Sequence, residues 1–130
     1  MSSRRIDTAK DLEVYKKSYS LAMELYWITK QFPTDERYAL IDQLRRSSGS
    51  VAMNLREAWA KRRYEAHFIS KLTDCDGENA ETETSLDFAR ECGYLTSEIH
   101  ADLLGRNREI GKMLGSMIKN PAPFILTSDL

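Results

Sequence analysis

Very little in this 130-residue sequence interrupts a helix. Its three prolines stand at positions 33, 121 and 123, which leaves residues 34–120 free of the one residue that cannot continue a helix. Glycine is also scarce, at six. The two cysteines, Cys75 and Cys92, are seventeen residues apart. On one helix that is about 25 Å at 1.5 Å per residue, too far for a bridge within the chain, so reduced thiols of a cytoplasmic protein are expected. No apolar run approaches the ~20 residues of a membrane span. The start, Met1-Ser2-Ser3-Arg4-Arg5, has no apolar stretch behind it, so no signal peptide is expected either.

Catalytic signatures are missing as well. A di-metal site in a helical bundle needs Glu-x-x-His motifs. The only histidines, His67 and His100, follow Glu65 and Glu98 at a spacing of two, which points the side chains apart. There is no Cys-x-x-Cys for zinc, no phosphate-cradling glycine loop and no Gly-x-Ser-x-Gly elbow. Cys75 and His67, eight residues apart on one helix, do not form a nucleophile pair. Asp74 and Asp76 read as solvated or ion-paired carboxylates. No catalytic residue, cofactor or metal is expected. The net charge of -1 gives no general attraction to nucleic acid.

What is present is helical periodicity. Hydrophobic residues at 42% and charged residues at 30% suit one domain with a real core and solvated helix faces. Residues 1–9 read as a polar arm and 121–130 as a tail whose Phe124-Ile125-Leu126 is apolar enough to dock. Between them, 10–120 read as four helices. The first runs from about Lys10 to Gln31 and has two apolar stripes, one of Leu12, Tyr15, Tyr19, Ala22 and Tyr26, the other of Val14, Leu21, Leu25, Ile28 and Phe32. Phe32-Pro33 ends it. The second runs from about Asp35 to Arg62, with Thr34 as N-cap. The third runs from Tyr64 or Glu65 to Cys92, where Gly93 supplies the left-handed residue. Asn79 and Thr82 lie on its apolar seam. The fourth starts at a Thr96 or Ser97 cap and stops at Asn120-Pro121. Short connections make this an all-α, antiparallel, up-down-up-down four-helix bundle.

The second helix has an ordered polar row. Gln43, Arg46, Ser50, Asn54 and Glu57 are spaced by three, four, four and three, so they share one face beside the apolar stripe of Leu40, Leu44, Ser47, Val51 and Ala58. Such a row is expected to be partly buried, with each member hydrogen-bonded. If helices two and three are antiparallel about the turn near residue 63, residues whose numbers sum to about 127 lie side by side. That sets Arg46 near Glu81, Arg45 near Glu83 and Ser50 near Gly77. Ser47–Ser50 opposite Gly77 suggest close backbone approach. Losing a partly buried Arg46–Glu81 pair costs roughly 1–3 kcal/mol.

Charge is segregated. Residues 37–71 hold eight Lys or Arg against three acids, and 74–91 hold seven acids against Arg90. The ordinary reading is neutralisation between the two helices. The alternative is a nucleic-acid-binding patch of Arg56, Lys61, Arg62 and Arg63 beyond the acidic block.

These residues resemble a known family. Phe32-Pro33 with Glu36, then Gln43, Leu44, Arg46, Ser50, Asn54 and Glu57, then Gly77, Glu81, Glu83, Thr84, Ala89, Gly93, Tyr94 and Leu95, and finally Glu109-Ile110-Gly111-Lys112-Met113-Leu114, are similar to the S23-like proteins encoded by intervening sequences of bacterial 23S rRNA genes. Ala58 stands where the family usually has glycine, and Asp76, Asn79 and Thr82 where it usually has leucine-like residues. The resemblance implies a four-helix bundle assembled as a homopentamer, with no catalytic residues. The accessory proteins of diversity-generating retroelements resemble it in fold and assembly, and they partner a reverse transcriptase and nucleic acid. The expectation is a non-catalytic oligomeric scaffold or adaptor for a protein or RNA partner; the alternative is an RNA-binding protein using the basic patch. The doubled stripe of the first helix is the physical motive for self-association.

Overall fold

A computed structural model describes residues 6–126. Among them are four α-helices and no strand: α1 (Glu13–Thr29), α2 (Asp42–Ala60), α3 (Glu65–Glu91) and α4 (Ser97–Lys119). Cross-helix pairs fix their directions. Arg46 meets Glu81, Val51 meets Cys75 and Glu57 meets Lys71, so numbers rise on α2 as they fall on α3. Glu83 and Asp87 of α3 meet Arg108 and His100 of α4 in the same sense. Lys17 and Glu24 of α1 meet Glu109 and Arg106 of α4. All three pairs are antiparallel, and α1 must therefore oppose α2. This is the expected up-down-up-down bundle. Leu25, Leu44, Leu55, Phe68, Leu72, Leu86, Leu103 and Leu114 fill its centre.

The helix ends follow local chemistry. At α3 the Gly93 N–H donates to the Arg90 carbonyl (3.0 Å) and the Tyr94 N–H to that of Ala89 (2.9 Å), with Gly93 at φ 81°. This is the six-to-one, five-to-two closure for which a residue without Cβ is favoured. Thr96 caps α4, its hydroxyl accepting from the Ile99 N–H at 3.1 Å. The start of α1 differs from expectation. Residues Ala9–Asp11 form a 3-10 turn in which the Asp11 carboxylate accepts from the N–H groups of Asp7 and Thr8 (2.8 and 3.0 Å), and the extended Leu12 separates it from the helix. Ala9 is already buried.

The second helix also starts later than expected. Its first residues form a 3-10 turn, Thr34–Glu36, and then a π turn, Arg37–Ile41. The Glu36 side chain accepts from the Tyr94 hydroxyl at 2.7 Å, tying this end to the α3–α4 connection. Of the consecutive apolar residues Tyr38, Ala39, Leu40 and Ile41, only Ile41 is buried. At the opposite end a 3-10 turn, Ala122–Phe124, lays Phe124 against Phe68 at 6.2 Å, and the Leu126 N–H donates to the Arg62 carbonyl at 3.1 Å. The tail thus docks on the α2–α3 turn. The remaining arm and tail positions, 1–5 and 127–130, lie outside the described residues.

α3 buries Asn79, Thr82 and Ser85. Asn79 Nδ2 donates to the Asn107 carbonyl of α4 (3.0 Å), and Asn107 Nδ2 donates back to the Asn79 carbonyl (3.1 Å). On the α2 side, the Ser47 and Thr82 hydroxyls meet at 2.8 Å. Ser18 and Ser48 satisfy their buried hydroxyls on carbonyls four residues back in their own helices. The seam thus meets protein partners on both sides, while the buried Asn107 Oδ1 has none among the described residues. Gly111 sits under the clasp: a Cβ there would lie 3.1 Å from Asn79 Nδ2. Gly49 and Gly77 have open space where a Cβ would go, so the expected close approach of α2 and α3 backbones at Ser47–Ser50 is not the reason for either glycine. Removing one arm of the clasp by Asn79→Ala is expected to cost about 1–3 kcal/mol. A urea-denaturation midpoint equal to wild type would contradict the role of the clasp.

Candidate functional site

The polar row on α2 lies at the rim of the α2–α3 interface. Gln43 Nε2 donates to Glu81 Oε1 at 2.8 Å, and Arg46 reaches both Gln43 Oε1 (2.9 Å) and Glu81 (3.5 Å). Glu57 pairs with Lys71 at 2.9 Å, and that partnership leads the forces that raise the Lys71 pKa. Asn54 Nδ2 donates to the Ser50 carbonyl of its own helix (2.9 Å), and Asn54 borders a shallow depression with Gly77 and Glu81. Arg46 and Glu81 side chains are 51% and 49% exposed. An ion pair so open to solvent is worth about 0.2–1 kcal/mol, below the value expected for a partly buried one. The row is a half-solvated ladder.

The expected register holds where it can be read. Arg46–Glu81, Val51–Cys75, Ser47–Thr82 and Glu57–Lys71 all lie within two of the sum. Arg45 is the exception, and it does not approach Glu83. Its guanidinium stacks on Tyr26 (4.6 Å to the ring centroid) and donates to the Thr29 hydroxyl (2.9 Å) and the Tyr26 carbonyl (3.2 Å). A cation there complements the negative C-terminal end of α1. Glu83 pairs with Arg108 of α4 instead, at 3.5 Å. The acidic block of α3 is thus shared between α2 and α4.

The four basic residues beyond that block separate into two kinds. Arg56, Lys61 and Arg63 are exposed, with no acidic partner among the described residues. Arg62 is committed: it stacks on Trp59 (3.6 Å), its Nε donates to the Trp59 carbonyl (2.8 Å), and partial burial lowers its pKa. Among the described residues, no three His, Cys, Asp or Glu side chains converge as a metal site would need, and no helix is long and apolar enough to cross a membrane. Cys75 is buried, its thiol pushed up to about 12 by desolvation and donating to the Val51 carbonyl at 3.6 Å, which makes it a poor nucleophile.

One feature was read from the sequence in part and another escaped it. The first is an exposed apolar face on α1. The stripe of Val14, Leu21 and Leu25 is buried, whereas Tyr19, Met23, Tyr26 and Trp27 point outward, Tyr19 at 55% and Trp27 at 58% exposure. The stripe of Tyr19 and Tyr26 was visible in the spacing, but Met23 and Trp27 were not part of it. The second feature is a groove of about 600 Å³ between the π turn and the C-terminal half of α3, with Leu40 and Ala80 on its walls and Phe88 at its lip. No periodicity marks it, because it depends on the π turn. Glu36 stands at its edge, bonded to Tyr94, whose phenol that bond raises from 10.0 to about 12. The neutral phenol is the form the fold favours. Its contribution is complete below pH 10.0 and is lost as pH rises through about 12. Tyr94→Phe is therefore expected to flatten the fall in stability across that window. A fall as steep as wild type's would contradict the bond.

The comparisons with known proteins follow the same architecture. A crystal structure of a protein of unknown function from the S23 ribosomal protein family of Bacteroides thetaiotaomicron VPI-5482 superposes with a TM-score of 0.74, at 30% sequence identity, covering 82% of this chain and 96% of that one. No curated protein matches. The 23S rRNA-intervening sequence protein family matches residues 10–116, and the chain belongs to that family.

Proposed function

We propose that the protein is a non-catalytic, self-associating scaffold, working through the outer surfaces of its bundle. The observation that carries this reading is the exposed aromatic face of α1. Tyr19, Met23, Tyr26 and Trp27 form a contiguous apolar stripe along a charged molecule, and exposed patches of that kind mark interaction sites. Aromatic residues and methionine are the types enriched at the centres of interfaces. Fully burying an exposed apolar side chain is worth roughly 1.5–3 kcal/mol; these four, 37–58% exposed, retain about half of that each, enough together to drive association. The named site chemistry points the same way: the polar row is engaged in hydrogen bonds and ion pairs, and Cys75 is inert.

A second reading has its own support. Arg56, Lys61 and Arg63 are exposed at the α2–α3 end, without acidic partners among the described residues, next to the exposed ring of Tyr64, which stacks edge-on with His67 at 5.5 Å. Cations interleaved with an aromatic ring suit a single-stranded RNA partner. Arg62 is not part of this set, since its guanidinium packs on Trp59.

Light scattering at micromolar concentration, before and after nuclease treatment, tests both. The scaffold reading expects a multiple of the chain mass that nuclease leaves intact. A strict monomer would overturn it. A mass that drops on nuclease treatment, with binding that weakens steeply as salt rises, would favour the RNA reading.

A further inference from the structure

We infer that the aromatic stripe of α1 in one copy docks into the groove between the π turn and α3 of the next, so that copies join head to tail. This rests on the self-association proposed above and names its two faces.

The two surfaces match in length. The stripe runs from Tyr19 to Lys30, about 17 Å of helix at 1.5 Å per residue. The α3 wall of the groove runs from Ala80 to Cys92, about 18 Å. They match in character: the groove offers Ala39, Leu40, Ala80 and Thr84 beneath Phe88, which is 60% exposed. Small residues on the walls leave space for rings, and Phe88 gives them an aromatic edge to pack against.

They also match in charge. Lys30 lies over Tyr26 and Trp27, 4.9 and 5.3 Å from their centroids, and has no acidic partner among the described residues. The groove is rimmed by Glu36 and Glu81 and backed by the acidic block of α3. Each of those carboxylates uses one oxygen within the chain, Glu36 Oε2 on Tyr94 and Glu81 Oε1 on Gln43 and Arg46, which leaves the other free to receive a cation. Pairing stripe with groove sets Lys30 beside Glu36 or Glu81, whereas two grooves face to face would bring no cation to those carboxylates. Two different surfaces of one molecule paired in this way give a heterologous contact, which must either close on itself or propagate. The π turn has a role in this arrangement. It exposes Leu40 and Ala39 at the groove in place of a regular first turn of α2, and π segments recur at functional positions.

Complementation between two variants tests the pairing. Trp27→Glu disables the stripe and Phe88→Glu disables the groove; both side chains are more than half exposed, so circular dichroism should show both variants folded. Each alone is expected to weaken association by at least about tenfold and to run as a monomer where wild type is assembled. Mixed in equal amounts they are expected to form a dimer and nothing larger, because only the intact stripe of one fits the intact groove of the other. Either variant retaining the wild-type mass, or a mixture that stays monomeric, would overturn the head-to-tail pairing while leaving self-association standing. A monomeric wild type would remove both.

Discussion

A four-helix bundle lets each helix bury one stripe, and α1 carries two. Its inner stripe, Val14, Leu21 and Leu25, meets the core; its outer residues Tyr19, Met23, Tyr26 and Trp27 have no helix of the same chain to cover them. The other helices turn mostly charge outward, with single exposed apolar residues at Met53, Phe88 and Ile99. Lys30 and Arg45, set against the rings of α1, moderate the exposed surface through cation–π contact without covering it. The molecule therefore leaves an apolar face on α1 that its own bundle does not cover.

The same constraint acts in the opposite sense on α3. Its inward stripe holds Asn79, Thr82 and Ser85, polar groups that cost heavily if buried alone. Two neighbours answer Asn79 and Thr82: Asn107 on α4 by a reciprocal amide clasp, and Ser47 on α2 through a shared hydroxyl hydrogen bond. Apolar contacts tolerate sliding by a turn, but these pairs do not. They set the register of α3 against both neighbours. That register in turn places Ala80, Thr84 and Phe88 opposite the π turn and opens the groove. Architecture at the centre thus determines which surface is presented at the edge.

Much of this was legible in the sequence. Four helices, their caps at Gly93 and Thr96, and the α2–α3 register follow from periodicity, punctuation and hairpin arithmetic. Gln43, Arg46 and Glu57 of the polar row on α2 reach α3, but the burial expected of the row was overstated, because spacing gives a face and not its depth. Arg45 went astray for a related reason: the hairpin sum considers only α2 and α3, whereas Arg45 turns to the open end of α1. Asn107 was missed as the partner of Asn79 because an asparagine among Arg106 and Arg108 looks solvated until α3 is packed against it. The π turn was unreadable, since Tyr38-Ala39-Leu40-Ile41 fits a regular helix equally well. The groove, which depends on that turn, was lost with it.

The central claim is that the outer face of α1 is covered by another copy of the chain. The sequence has two tryptophans, so Trp59→Phe leaves Trp27 as the single reporter on that face. Quencher access to its fluorescence, followed over a dilution series, is the most direct measurement. The account predicts a shielded Trp27 at high protein concentration that becomes accessible as the assembly dissociates; full accessibility at every concentration would contradict it.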